Sequence, residues 1–547
     1  MKQVLKYIDR NPWILYASAV VLLITALFMH LGYFPIFVNE DEATRGLIAM
    51  EMMFSGDYLT PTIHGELYYN KPPLFNWLLA AFFGIFNSYD EFILRLPGIL
   101  ALILLGYLIY YFVKKEFGWK TGLLTALIYL TTGRLIMFES FFCQIDMLFS
   151  CFVYAAMMSV YFYHKKQNYW LLFIVSYAIS ALAFLSKGLP GIVFQGLTLM
   201  VFFAYKREYK KFFSIQHITG GLLFLLIIGV YYLFYFQETG DLETIFIRLW
   251  GESTARTFAA NTVTDSLLNF FIFPFEMLYH YAPWTIFIIY FFSRKFRKLV
   301  FGTPFLKFNF MIFLFNLLVY WTSPGVYPKY YMMLMPLFFT IPVYIFIKHY
   351  RDFSIYNKII EVFFFVFGLM VVLAVLGISI FNTAFYIPDR ILKTVILTLA
   401  SLFFLCLYVK LKRHRLIIAV LLVLAAKFTF NWMNWVTRYP EIDVYKNAAV
   451  EVGKLTKGEP LHYYELGQDR LLQYSTSYYI TAERERIIQN DRDTILPGIY
   501  YVMEAGRLNN PYRQGLADSI IMQFKTKEQN RTLYLVKFFK QNDSNNL

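Results

Sequence analysis

Residues 39–52 read Asn39-Glu40-Asp41-Glu42-Ala43-Thr44-Arg45-Gly46-Leu47-Ile48-Ala49-Met50-Glu51-Met52, and they follow closely on an apolar run from Pro12 to about Phe34. Three consecutive acids at the end of a run long enough to cross a bilayer are costly to hold at a membrane face. Acids in a first helical turn are also favoured by the macrodipole, so the residues fit equally well a solvated loop turning into an amphipathic helix. Upstream, Lys2, Lys6 and Arg10 precede the run, which is too long for a signal-peptide core and lacks a small-x-small cleavage site. It is predicted to be a first spanning helix with the N-terminus in the cytoplasm.

The composition extends this reading to the whole chain. Of 547 residues, 58% are hydrophobic and 16% charged, against about 25% charged in an ordinary soluble domain. Many apolar segments must share the chain, which excludes a soluble enzyme with one anchor. The net charge of +14 is spread through short clusters such as Lys206-Arg207 and Lys210-Lys211 between apolar runs. That is the pattern of cytoplasmic loops rather than of a nucleic-acid surface, so no nucleic-acid partner is expected. Cys143, Cys151 and Cys406 lie in or beside apolar runs and read as packing residues, not a disulfide framework.

The run Pro72–Phe86 is below the roughly 17 residues needed to cross and is predicted to be interfacial or re-entrant. Counting it as a span would put Lys114 and Lys115 on the wrong face. The remaining runs predict about 13 transmembrane helices, near 12–34, 92–113, 119–133, 147–163, 170–186, 190–205, 218–237, 274–293, 308–322, 330–347, 359–381, 391–409 and 416–432. Residues 1–435 then form a transmembrane domain with an outer loop at 34–90, and 436–547 a small α/β domain on the outer side. Within it a helix is expected at Ile442–Leu455 and strands at Leu461–Tyr464, Ile499–Met503, Ile520–Phe524 and Leu533–Phe539. The polar tail from Gln541 to Leu547 is predicted to be disordered.

Further chemistry-bearing residues cluster on the same predicted face. Tyr68-Tyr69-Asn70-Lys71-Pro72-Pro73 leads into the short apolar run; its lysine reads either as a snorkelling interfacial residue or as a ligand for a lipid phosphate. Asp146 opens a predicted span and reads equally as its N-cap. Lys187, His280 and Lys329-Tyr330-Tyr331 are unremarkable singly. Acids and bases gathered at one leaflet beneath an outer domain suit a cavity for a charged lipid headgroup.

These residues resemble the GT-C fold glycosyltransferases of the protein O-mannosyltransferase and ArnT-like aminoarabinose transferase superfamily. The resemblance rests on Asp41-Glu42-x-x-Arg45 with Glu51-Met52, on Ser55-Gly56-Asp57-Tyr58-Leu59-x-Pro61, and on Lys71-Pro72-Pro73-Leu74 with Trp77. Glu91 and Arg95-Leu96-Pro97 continue it. Asp146, Ser186-Lys187-Gly188 and Lys329-Tyr330-Tyr331 with Pro336 are looser matches. Gly46 and Asn70 depart from the pattern, where an aromatic residue and an acid are common. The thirteen spans and outer α/β domain resemble the ArnT-like branch.

The resemblance implies inverting transfer of a sugar from a polyprenyl (undecaprenyl) phosphate donor to lipid A or another lipid or glycan acceptor. The place implied is the periplasmic face of a bacterial inner membrane, among membrane lipids. No nucleotide, haem or flavin is expected. Lys71, Arg45 and Lys329 are the candidates for the donor phosphate, where charge grows as the glycosidic bond breaks. Asp41 is the candidate base or acceptor-positioning group, with Asp146 its partner or a site for a divalent cation. Glu42, Tyr68, Tyr69, Lys187, His280, Tyr330 and Tyr331 are candidate substrate contacts. The competing classes are a lipid or sugar flippase or transporter, which tends to show inverted repeats not found here, and a non-catalytic assembly subunit.

Overall fold

A computed structural model describes residues 2–38, 40–254, 262–381, 387–434, 442–464, 472–491, 495–507, 516–527 and 531–540. The polar tail lies outside the described residues. Among these residues nine helices are long and apolar enough to cross a membrane, from Glu91–Phe117 to Lys412–Met433. A tenth arises if Trp119–Leu130 and Gly133–Phe141, bent by 54° at their junction, count as one. Trp13–Phe28 and Pro190–Lys206 are shorter apolar helices at two further predicted spans.

The predicted span at 274–293 is corrected. A helix at Val263–His280 ends before Pro283, and Trp284–Phe292 follows as a 3-10 segment. Proline has no N–H to continue the ladder, and its ring crowds the preceding turn. The short run at Pro72–Phe86 forms a helix at Leu74–Phe86, with Pro72 and Pro73 just before it and left-handed Asn87 after it. At 13 residues it is too short to cross.

The acidic stretch forms the helix Glu40–Ser55, with Glu40, Asp41 and Glu42 in its first turn and Gly56, at φ +76°, just beyond its end. It is not a one-sided amphipathic helix: every residue from Glu42 to Met52 is buried. A helix buried all round needs cover on every side. Here the bundle lies on one side and the C-terminal domain on the other.

That domain carries the helices Ile442–Leu455 and Tyr474–Arg484 on a five-stranded sheet. Its strands are β3 (Leu461–Tyr464), β4 (Gln489–Asp491), β5 (Tyr500–Glu504), β6 (Leu516–Lys525) and β7 (Thr532–Lys540), in the order β4-β3-β5-β7-β6. A separate hairpin, β1 (Thr62–Ile63) and β2 (Glu66–Leu67), follows the acidic helix. Strand β3 is parallel to β4 and β5, with Tyr463 opposite Asn490 and Val502, whereas β7 is antiparallel to β5 and β6. The β3-to-β4 crossover is the helix Tyr474–Arg484, as a parallel pair requires. Sequence patterning missed this helix, and it is the one that packs on Glu40–Ser55.

Its contacts explain the departure at Gly46. A Cβ there would collide with the Tyr478 ring and with Leu94. The aromatic residue common after the motif arginine is absent, and Tyr478 fills the space from the other domain. Its hydroxyl donates to the Tyr89 carbonyl at 2.5 Å.

Candidate active site

Three connected chambers lie between the acidic helix, the ends of several bundle helices and the C-terminal domain. The central one, of about 530 Å³, is lined by Asp41, Arg45, Tyr68, Lys71, Asp146, Lys187, Lys329 and Tyr330, together with Arg134, Gln144 and Glu252. An outer chamber of about 840 Å³ shares Asp41, Arg45, Tyr68 and Glu252 and reaches Tyr463, Tyr474 and Asn490 of the C-terminal domain. A third, of about 220 Å³, shares Lys71, Lys187, Glu252 and Tyr330 and runs between apolar residues such as Leu189, Val193, Phe194 and Val319.

Local structure brings the bases together. Lys71 precedes the helix that Pro72 and Pro73 introduce, and Lys187 ends the helix Tyr169–Lys187. Gly188, at φ +86°, turns the chain there, so close to Pro72 that a Cβ would lie 4.0 Å from its Cδ. Two turns distant in sequence thus set two lysines on one cavity. Lys329 arrives on the 3-10 segment Pro328–Leu334.

The charges pair across the chamber. Lys329 Nζ donates to Asp41 Oδ2 at 2.9 Å and to Gln144 Oε1 at 3.1 Å. Lys187 Nζ donates to Asp146 Oδ1 and lies 4.2 Å from the Tyr330 ring centre. Asp146 is therefore an ion-pair partner, and Gln144 occupies the N-cap position of its helix. The two carboxylates differ in access: the Asp41 side chain is 70% exposed and that of Asp146 3%. Asp41 is open to a substrate, whereas Lys187 seals Asp146. Desolvation raises the Asp41 carboxyl, but Lys329, Arg45 and Lys71 outweigh it and hold the group below the usual carboxylate range.

Arg45 donates through Nη2 to the Tyr68 hydroxyl and lies 5.1 Å from that ring's centre. Its buried Nη1 has no hydrogen-bond partner, an unmet donor at the wall shared by two chambers. Lys71 Nζ is 3.5 Å from Glu252 Oε2. Five bases line the central chamber against three acids, an excess that suits an anionic ligand.

Tyr69 lines the outer chamber. Three predicted substrate contacts are corrected. Glu42 is fully buried, with Oε1 2.8 Å from Arg95 Nε and Oε2 3.1 Å from Arg95 Nη2, and it also accepts from Cys143 N at 3.0 Å. It is held behind the chamber wall. Tyr331 is buried against Phe273 and Tyr281, at ring separations of 5.1 and 5.6 Å. His280 lines none of the three chambers and packs on Tyr279 at 5.0 Å. Adjacent residues on a helix point in different directions, so motif proximity did not carry Glu42 or Tyr331 into the cavity.

Sequence reasoning missed Arg134, Gln144 and Glu252 as lining residues, and no short-range pattern marks them. It also missed how the C-terminal domain grips the acidic segment. Glu40 accepts from Ser475 Oγ at 2.6 Å, His64 Nε2 lies 2.7 Å from Ser477 Oγ, and Glu91 accepts from Lys446 Nζ at 2.6 Å and Tyr479 Oη at 2.7 Å. Glu51, of the resemblance motif, accepts from the His64 and Gly65 amides at 2.6 and 3.1 Å and fixes the hairpin after the helix.

Asp41 and Asp146 do not form a shared carboxylate pair, since a lysine occupies each. Among the described residues no group of three His, Cys, Asp or Glu is placed to hold a metal ion. The side chains present do not fit the hard-cation site considered for these aspartates.

Residues 70–233 match the family model described as dolichyl-phosphate-mannose-protein mannosyltransferase. The architecture is similar to that of the ArnT of Cupriavidus metallidurans, crystallised with undecaprenyl phosphate. The likeness has a TM-score of 0.67 at 16% identity and covers 96% of this chain and 98% of that one. An uncharacterized protein of Aquifex aeolicus (strain VF5) is 25% identical over 52% of this chain and 56% of its own length. The undecaprenyl phosphate-alpha-4-amino-4-deoxy-L-arabinose arabinosyl transferase of Edwardsiella ictaluri (strain 93-146) is 24% identical over 32% of each chain. The chain thus spans from a third to just over half of these curated relatives.

Proposed function

We propose that this chain, whose fold is like that of ArnT, is a GT-C glycosyltransferase of ArnT-like architecture that transfers a sugar from a polyprenyl-phosphate donor to an envelope acceptor with inversion. The observation that carries this reading is the order of the chambers: an apolar groove opens on a base-rich chamber, which opens on a polar one. A lipid phosphate has that same order of tail, anion and sugar. The polyprenyl chain takes the groove beside Leu189, Val193 and Phe194, and the phosphate meets Lys71 and Arg45, which both line the central chamber.

As the bond from the anomeric carbon to the phosphate oxygen breaks, charge grows on that oxygen. Fixed cations in a confined site stabilise it more than water does. Lys71 is held by Glu252 at 3.5 Å, and the phosphate displaces that contact. Lys187 and Lys329 hold Asp146 and Asp41 in place rather than serve as free phosphate ligands. Asp41, ionised and open to the outer chamber, faces the acceptor and takes its proton or orients it. Lys71 and Arg45 supply the positive charge at the phosphate, so turnover is expected to survive chelation.

The catalytic face is taken as periplasmic, from the distribution of basic clusters between apolar runs. The test is mass spectrometry of envelope lipids and glycans from cells with the gene, without it, and with Asp41→Asn in its place. A discrete one-sugar mass increment, lost in both altered strains, is expected. Its absence from every fraction would overturn the proposal.

A further inference from the structure

The outer chamber differs in charge from the central one. Four carboxylates line it, from Glu40, Asp41, Glu66 and Glu252, against the guanidinium groups of Arg45 and Arg248. Lys71, Lys187 and Lys329 all line the central chamber, and no lysine is among the residues that line the outer one. A phosphate-bearing acceptor entering from this side would be set among like charges. Hydroxyl groups would find acceptors there, because a carboxylate only accepts hydrogen bonds when ionised.

The rings of the chamber add a second feature. Tyr68, Tyr69, Tyr463 and Tyr474 line it together with His64. Such rings offer flat apolar faces with a polar tip, which suits a pyranose with its C–H faces and its rim of hydroxyls. The roof is built: Asn490 Nδ2 donates to Glu66 Oε1 at 3.0 Å, and His64 lies 4.8 Å from the Tyr463 ring. Finally, Arg45 lines both chambers, so its guanidinium stands where the transferred sugar and its phosphate would meet.

We infer that the outer chamber is a saccharide subsite and that the acceptor is a hydroxyl of an uncharged or amine-bearing glycan, presented between the hairpin β1–β2 and the C-terminal domain, rather than a phosphate. This rests on the transferase reading above and names its acceptor class. In the transfer the acceptor oxygen bonds to the anomeric carbon, and the bond from that carbon to the phosphate oxygen breaks with its electron pair on the phosphate. The hydroxyl proton passes to the Asp41 carboxylate and from there to solvent. The products are a glycoside and a polyprenyl monophosphate.

The linkage reports the acceptor. Envelope glycans and glycolipids from cells producing the wild type or Asp41→Asn are compared by mass spectrometry before and after mild acid, which cleaves glycosyl phosphates and spares glycosides. A one-sugar increment that depends on Asp41 and survives acid is expected. An increment that acid removes overturns the glycan acceptor and leaves the transferase reading intact. No increment in any fraction overturns both.

A second arm uses Glu66→Lys, at an exposed hairpin position. Binding of undecaprenyl phosphate to the purified protein is expected to stay within about twofold of wild type, while the increment in cells falls about tenfold. An unchanged increment, or an equal loss of undecaprenyl phosphate binding, overturns the assignment of the outer chamber.

Discussion

Glu42 and Arg95, one on the acidic helix and one on the first long bundle helix, form a two-point ion pair at 2.8 and 3.1 Å with no access to solvent. The remaining Arg95 donor, Nη1, reaches the Leu31 carbonyl at 2.7 Å. The pair ties the segment that bears Asp41 to the bundle. Removing one partner strands the other charge, at a cost of about 3–5 kcal/mol. Glu42→Gln is therefore expected to lower the melting temperature strongly, and Glu42→Gln with Arg95→Met to recover part of the loss. A stable but inactive single variant would instead return Glu42 to substrate contact.

Asp41→Asn is expected to lower turnover by about a hundredfold or more, with thermal stability nearly unchanged. The carboxyl is held below its usual range, so it is ionised at neutral pH and loses its charge only in acid. An acid limb of the rate profile from this group lies below the ordinary carboxylate range. Lys329→Met removes the main opposing charge and moves that limb upward, which a pH–rate profile would detect.

Lys71 and Glu252 make opposite predictions for the donor. Lys71→Ala is expected to raise the donor KM about tenfold or more while leaving the melting temperature within a degree or two. Glu252→Gln removes the carboxylate that competes for Lys71, so donor binding is expected to tighten. Initial rates at varied donor give the first and titration of undecaprenyl phosphate into the purified Glu252→Gln variant the second, where weaker binding would refute the competition.

Glu51 gives the fold a pH dependence of its own. Burial raises its carboxyl from the ordinary value to about 7, against the opposing hydrogen bonds from Gly65, His64 and Thr62. The folded protein then holds the proton more tightly than the unfolded chain. This contribution is fully present below about pH 4.5 and is lost as pH rises through about 7, on the order of 3 kcal/mol in all. Glu51→Gln should flatten the fall in stability between pH 5 and 8, as followed by thermal unfolding in detergent.

Most of the bundle was legible because apolar runs of about 20 residues have few alternatives in a membrane chain. The helix Ile442–Leu455 and the core of each long strand of the C-terminal domain were legible from their periodicity. The helix Tyr474–Arg484 was not: Tyr474-Ser475-Thr476-Ser477-Tyr478-Tyr479 is rich in residues that favour strands, and Ser475 to Thr481 are all buried, so no apolar stripe marks one face. Within the site, the residues of short motifs were legible and their partners were not. Glu252 meets Lys71 from a distant helix, and a motif gives no sign of a partner so far along the chain.

The fit of Tyr478 against Gly46 has a consequence for biogenesis. The segment that bears Asp41 is synthesised well before the helix that covers it. Until that helix arrives, Glu40 lacks Ser475 and His64 lacks Ser477, so a nascent chain already threaded into the bilayer has no finished centre. The proposed site is complete only once residues 474–484 have been made, and a chain cut short before residue 474 is expected to insert without activity. For the same reason, placing this C-terminal domain on the bundle of a relative with an aromatic side chain at the glycine position would set two rings in one space.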